Sequence, residues 1–229
     1  LKQFRLPPYL ERIDLNSVQW NKSTLPQFLT QLFDQDLNDG LKLYINKINI
    51  DDHEWDSVFD TFESITKYPL VELSWNHNKV SRKFFDFLSN NIQITNLFLN
   101  GCFTYTNQEE IIQFSQILPN LTNCTHLVIR GDLDKYTLRE KVSILFEYVK
   151  QMNFISYLDV TNNIISSEGL EQLSNLINES KRLTHICFDG SKIEDQGYFE
   201  KLIEEGEKRR RPLFIDWPKN DIENLKETS

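Results

Sequence analysis

Glycine is scarce in this chain: seven residues in 229, and they are scattered. They offer no G-x-x-x-x-G-K stretch, which excludes a phosphate cradle of the P-loop kind. Cysteine is scarcer. Cys102, Cys124 and Cys187 are odd in number, far apart and in no CxxC or CxxH pair, so neither a disulfide framework nor a zinc-finger spacing is present. No apolar run approaches the ~20 residues that cross a bilayer, and no signal-peptide pattern is read, so a cytoplasmic location is expected. An excess of positive charge is also missing. The formal net charge is −9 and the pI near 5.0, which argues against nucleic acid and anionic membrane as partners.

The one dense basic run is "EKRRRP" (207–212), where Lys208, Arg209, Arg210 and Arg211 fall near the end of a predicted helix and complement its negative terminus. A patch for an anion or a partner is the alternative. No G-x-S-x-G elbow occurs. Acid pairs such as Glu109 with Glu110 and Glu204 with Glu205 lie on helical patterns and read as solvated faces. Of four histidines, His126 and His185 share a register position but stand two strands apart, about 10 Å at the usual ~4.8 Å strand spacing, with Tyr157 between them. That is too wide for one ion. No enzyme, no cofactor and no metal are expected.

What the chain does have is a recurring spacing. "LVELSWNHNKV" (70–80) places Leu70, Leu73, Trp75, Asn78 and Val80 at positions one, four, six, nine and eleven. The same template fits seven times, starting near 10, 40, 70, 94, 124, 155 and 183. Positions four and six are apolar in every copy. Position nine reads Val18, Ile48, Asn78, Cys102, Asp132, Asn163 and Ser191, so the first two copies lack a side chain able to hydrogen-bond the turning backbone, and Asp134 breaks position eleven in the fifth. Amphipathic helical patterns lie between the templates at 25–33, 139–152, 168–177 and 198–208. Strands are expected near residues 14, 44, 74, 98, 128, 159, 187 and 214. Pro8, Pro69 and Pro212 stand ahead of three of them.

This spacing resembles the leucine-rich repeat L-x-x-L-x-L-x-x-N-x-L, and strand and helix alternating at about 30 residues resembles its ribonuclease-inhibitor type. The resemblance covers nearly the whole chain. It implies an α/β solenoid, a right-handed horseshoe with a concave parallel sheet and convex helices, as a single domain over 1–229. Each strand–helix unit needs neighbours to cover its apolar face, so the series requires a cap. "PLFIDWPKNDIENLKE" (212–227) supplies one within 212–229: a last strand, a Trp-Pro break and a helix for Asp221 to N-cap. This ending resembles that of the repeat domain in the capping-protein regulators and myosin-I linkers. At the other end, either further repeats precede Leu1 or "LKQFRLPPY" is a minimal cap.

On this template, positions five and seven point into the concave opening. Position five includes Tyr44, Phe98, Val128 and Cys187, with Cys187 expected to be exposed. Position seven includes Asn16, Asn46, Asn76, Asn100 and Arg130. Aromatic rings beside hydrogen-bonding groups are the composition of a protein-binding hot spot. Packing against one another across adjacent strands is the structural alternative. The expected function is a non-catalytic scaffold that binds another protein through Tyr44, Asn46, Asn76, Phe98, Asn100, Val128, Arg130 and Tyr157. The alternative is a regulator of a small GTPase or of actin assembly within a longer chain. The resemblance to activators of the Ran GTPase, which act through rim loops, would place Arg130 and Asn162 or Asn163 in that role.

Overall fold

The computed structural model describes residues 4–20, 24–37, 40–193, 196–216 and 218–228, with side chains left aside at 196 and 224–228. Eight strands form one sheet in chain order: β1 Arg12–Asp14, β2 Leu41–Tyr44, β3 Leu70–Ser74, β4 Asn96–Phe98, β5 His126–Val128, β6 Tyr157–Asp159, β7 His185–Cys187 and β8 Phe214–Ile215. Every neighbouring pair is parallel. A helix follows each strand among the described residues: α1 Thr24–Phe33, α2 Trp55–Ser64, α3 Arg82–Asn90, α4 Glu109–Ile117, α5 Val142–Val149, α6 Ser167–Glu179, α7 Gln196–Glu207 and α8 Lys219–Thr228. The molecule is an α/β solenoid of the leucine-rich-repeat type.

The register follows from burial. Positions four (Leu43, Leu73, Leu97, Leu127, Leu158, Ile186) and six (Ile45, Trp75, Leu99, Ile129, Val160, Phe188) are buried in every repeat from the second onward. They face the helices, and one apolar cluster runs from Leu25 to Ile222. The many phenylalanines concentrate in its N-terminal half, where Trp75 stacks on Phe84 at 5.2 Å and Phe62 lies 4.7 Å from Phe87. In the first repeat Ile13 and Leu15 are only half-buried; there Phe4 stacks on Phe28 at 5.5 Å and the Leu6 N–H donates to Gln35 Oε1.

The seven strands expected around residues 14 to 187 end on those residues instead of centring there, because the chain has begun to turn by position eight. Ser17, Lys47, His77, Gly101, Asn162 and Gly190 occupy that position in six repeats, all in the left-handed region at φ 52° to 71°. In three repeats position nine then ties the turn to the repeat before it. The Asn78 amide donates to Ile45 O and accepts from the Ile48 N–H; Cys102 Sγ donates to Trp75 O; the Asn163 amide donates to Ile129 O and accepts from the Leu138 N–H. The fifth repeat departs, as its broken template implies. Gly131 is not left-handed; Leu133 is, and Asp132 bridges antiparallel to Tyr136 in a small hairpin. A Cβ at Gly131 would press into the Asn162 carbonyl.

Two expectations at the C-terminal end are corrected. Asp221 lies inside α8 and does not cap it: its carboxylate accepts the Ser191 and Lys192 N–H groups at 2.9 and 2.8 Å, serving the preceding turn as Asn78 serves its own neighbour. Trp217 of the expected break lies outside the described residues. In the basic run, Arg209 donates to the carbonyls of Ser180 and Leu183, so it closes the end of α6, not that of its own helix.

Candidate protein-binding surface

Residues at positions two, three, five and seven line the side of the sheet away from the helices. Position three is Arg12, Lys42, Glu72, Asn96, His126, Tyr157, His185 and Phe214, and these residues are in direct register. Its first half is a polar hub around Glu72, which is buried. Tyr44 donates its hydroxyl to Glu72, Asn96 Nδ2 donates to Oε2 at 2.9 Å, and Lys42 Nζ stands 3.9 Å away. The Arg12 guanidinium covers the Tyr44 ring at 4.2 Å. Burial, reinforced by the bond to Glu72, pushes the Tyr44 phenol up to about 12. Tyr44 is thus a half-buried member of the hub.

Position seven is a ladder. Asn46 Oδ1 accepts the Asn76 N–H, Asn76 Oδ1 accepts the Asn100 N–H, and Asn100 Oδ1 accepts the Arg130 N–H, each at 2.8 Å. Asn46 Nδ2 donates to Asn16 Oδ1 at 2.6 Å. The four consecutive asparagines hold strand ends together before they meet any partner.

The second half of position three is different. His126, Tyr157, His185 and Phe214 form a continuous row, with ring centroids 5.5, 4.9 and 4.8 Å apart. Such spacings are favourable aromatic contacts, worth roughly 0.5–1.5 kcal/mol each beyond area burial. The row is still accessible: Phe214 is 61% exposed, His126 is exposed, and Tyr157 and His185 are half-buried. Beneath it, position two holds the register, with the hydroxyls of Thr95, Thr125, Ser156 and Thr184 each donating to the position-two carbonyl of the preceding repeat.

Position five corrects the expected open column. Tyr44 and Phe98 are half-buried, but Ser74, Val128, Asp159 and Cys187 are buried. Val128 is 6% exposed and offers little to a partner. Strands ~4.8 Å apart let larger neighbours close over small side chains. Cys187, expected to be open, is 4% exposed; its thiol donates to Asp216 Oδ2 at 2.7 Å and lies 3.4 Å from the Tyr157 hydroxyl. Burial and the Asp216 bond push this thiol up to about 12. Burial pushes the Asp216 carboxyl up, but the bonds from Cys187 and His185 outweigh it and hold it below its ordinary value. Asp159 is fully buried and takes Arg130 through Nε and Nη2 at 2.7 and 2.6 Å. That bond raises the guanidinium pKa.

The rim residues named by analogy with the GTPase activators are also engaged. Arg130 is held by Asp159, Asn163 by backbone, and Asn162 packs against Gly190 as a left-handed turn residue. Of the sequence-named residues, the structure joins Tyr44 to the hub, Asn46, Asn76 and Asn100 to the ladder, Arg130 to Asp159, and Tyr157 to the ring row. Phe98 stands between Ser74 and Val128 in register. His126, His185 and Phe214 were missed as binding residues. The shared template position of His126, Tyr157 and His185 was the signal; Phe214 joins them only once the eighth strand is in register.

No protein-family model matches the chain. Among curated proteins, 97 residues are 30% identical to botulinum neurotoxin type C of Clostridium botulinum C phage, a match that takes in 42% of this chain and 7% of the neurotoxin's length. Among solved structures, the chain is similar to actin-binding site 2 of leiomodin-1 at a TM-score of 0.42 and 13% identity, over 64% of this chain and 75% of that one. Neither likeness assigns a family.

Proposed function

We propose that the chain is a non-catalytic protein-interaction module, a leucine-rich-repeat solenoid of the ribonuclease-inhibitor type, whose concave sheet holds a partner protein. The observation that carries this reading is the accessible ring row His126–Tyr157–His185–Phe214. Rings held on neighbouring strands are already ordered, so a partner that covers them loses little further side-chain freedom. Arg130, half-exposed beside the row and fixed by Asp159, adds an oriented donor. Aromatic and arginine anchors of this kind dominate binding where water is excluded. The partner chemistry this fits is an apolar ridge laid across β5–β8 with acceptors facing Arg130.

The test places a photoreactive amino acid at Phe214 in one sample and at Asp56, exposed on α2, in another. A discrete adduct from the Phe214 position and none from Asp56 is the expected result. Adducts of the same protein from Asp56 alone would move recognition to the helical side and overturn the reading.

A further inference from the structure

The ring row leads into a cluster that sequence spacing did not single out. His185 and Cys187 are two residues apart on β7, which turns both side chains to the same face. Asp216 follows β8 on the neighbouring strand, its N–H bonded to Ile186 O at 3.0 Å. The parallel register therefore brings an imidazole, a thiol and a carboxylate together. His185 Nε2 is 3.2 Å from Asp216 Oδ1, Cys187 Sγ is 2.7 Å from Oδ2, and one donor atom of each residue lies within 4.8 Å of the others.

We propose that His185, Cys187 and Asp216 form a binding site for a zinc-class divalent cation on the concave face. Three protein ligands of N, S and O type with a fourth position open make up a familiar zinc donor set. The thiolate selects a borderline-soft ion over magnesium or calcium, which prefer oxygen alone. With metal–ligand bonds of about 2.0–2.3 Å, tetrahedral ligands stand roughly 3.3–3.8 Å apart. The sulfur and the carboxylate are closer than this because a proton holds them. When the ion replaces that proton, they need to part by only about 1 Å, within side-chain rotation. The balance is simple: the cation forms a bond to sulfur, the S–H bond breaks, and one proton leaves to solvent.

The surroundings suit an added double positive charge. Thiolate and Asp216 carboxylate neutralise it, while Arg130, whose charge reaches Asp216, is already matched by Asp159. The Tyr157 hydroxyl, 3.4 Å from Sγ, is placed to donate to the bound thiolate as an outer-shell partner. Cys187 and Asp216 line a cavity of about 390 Å³ that opens between Thr161, Asp189 and Lys219. Water or a donor from a bound partner completes the coordination there.

The experiment titrates the purified, reduced chain with Co²⁺ as spectroscopic probe, followed by displacement with Zn²⁺. The expected result is one equivalent bound, with a thiolate-to-cobalt charge-transfer band and tetrahedral d–d absorption, and about one proton released per ion, read by calorimetry in two buffers. Cys187→Ser abolishes the charge-transfer band, since Cys102 and Cys124 lie in the core. Asp216→Asn and His185→Gln, which keep side-chain shape, weaken Zn²⁺ binding by more than the roughly 10–100-fold that loss of an outer-shell partner costs. Absence of the band in the unmodified chain, its persistence in Cys187→Ser, or unchanged Zn²⁺ affinity in Asp216→Asn would each overturn the proposal.

Discussion

The two halves of the concave sheet hold their strands in register with different side chains. Across β2–β5 the tie is at the strand ends, where Asn46, Asn76 and Asn100 each accept the backbone N–H of the next repeat. From β3 to β7 it is at the strand starts, where Thr95, Thr125, Ser156 and Thr184 donate to the carbonyl of the repeat before, so the two ties overlap between β3 and β5 and each stands alone at one end of the sheet. The first half also ties its position-three residues to Glu72. In the second half that position is left for a row of rings. One backbone geometry thus supports two surfaces, and what separates them is which column the sheet itself uses.

The largest expected contrast between the halves is electrostatic. Arg130→Ala leaves the fully buried Asp159 without its charged partner and lowers stability by about 3 kcal/mol, the low end for a buried pair because Arg130 is itself half-exposed and the Thr161 N–H still reaches Asp159. Lys42→Ala removes a long, exposed contact to Glu72 and costs less than about 1 kcal/mol. Urea melts of the two variants read the difference; equal losses would mean that the halves are not organised differently.

The two ladders also differ, by smaller amounts. Asn76→Ala strips the Asn100 N–H of its acceptor and Ser74 Oγ of a donor, a loss of about 1–3 kcal/mol, with faster hydrogen exchange at the Asn100 amide. Thr125→Val costs less than about 1 kcal/mol, because Thr95 O still accepts the N–H groups of Thr125 and His126 at 2.8 and 3.0 Å.

The smallest effect concerns alkaline pH. The Tyr44 phenol is raised to about 12 by burial and by Glu72; Tyr157 is raised too, by burial and its contact with Cys187. A raised folded value means that the contribution of each to stability is complete below the unfolded value near ~10 and is lost as pH rises through the folded value. An ultraviolet titration should show late-ionising phenols, one of which vanishes in Tyr44→Phe.

The architecture was legible because positions four and six carry apolar residues that have only the core to enter, from Leu43 and Ile45 to Ile186 and Phe188. α2, α3 and α4 were not singled out. All three are short; α2 ("WDSVFDTFES") and α3 are aromatic-rich, carry modest helical propensity and are held by burial, in α2 of Trp55, Phe59 and Phe62. The candidate surface was half legible. Template positions foretell which side of the sheet a residue faces, but not whether its neighbours cover it. Val128 and Cys187 therefore looked open and are closed. The asparagines looked available and serve the backbone. His126 and His185 were weighed only against each other as ligands, while the true neighbours of His185 are Cys187 and Asp216, the latter in a register fixed by the last strand.

The ring row of the second half is the proposed seat of recognition. A calorimetric titration of the partner captured at Phe214 against Phe214→Ala, Tyr44→Ala and Leu29→Ala, with a melting curve for each, is decisive for that surface. Phe214→Ala is expected to melt only a few degrees below the unmodified chain, having lost one ring contact, and to bind roughly thirtyfold more weakly, the effect of losing about 2 kcal/mol from an anchor. Tyr44→Ala should bind within a few-fold of the unmodified chain. Leu29→Ala, which empties a fully buried site on α1, should lose about 2–5 kcal/mol of stability and keep its affinity in the folded fraction. Full affinity in Phe214→Ala together with its loss in Tyr44→Ala would place recognition on the first half and rule out the ring row.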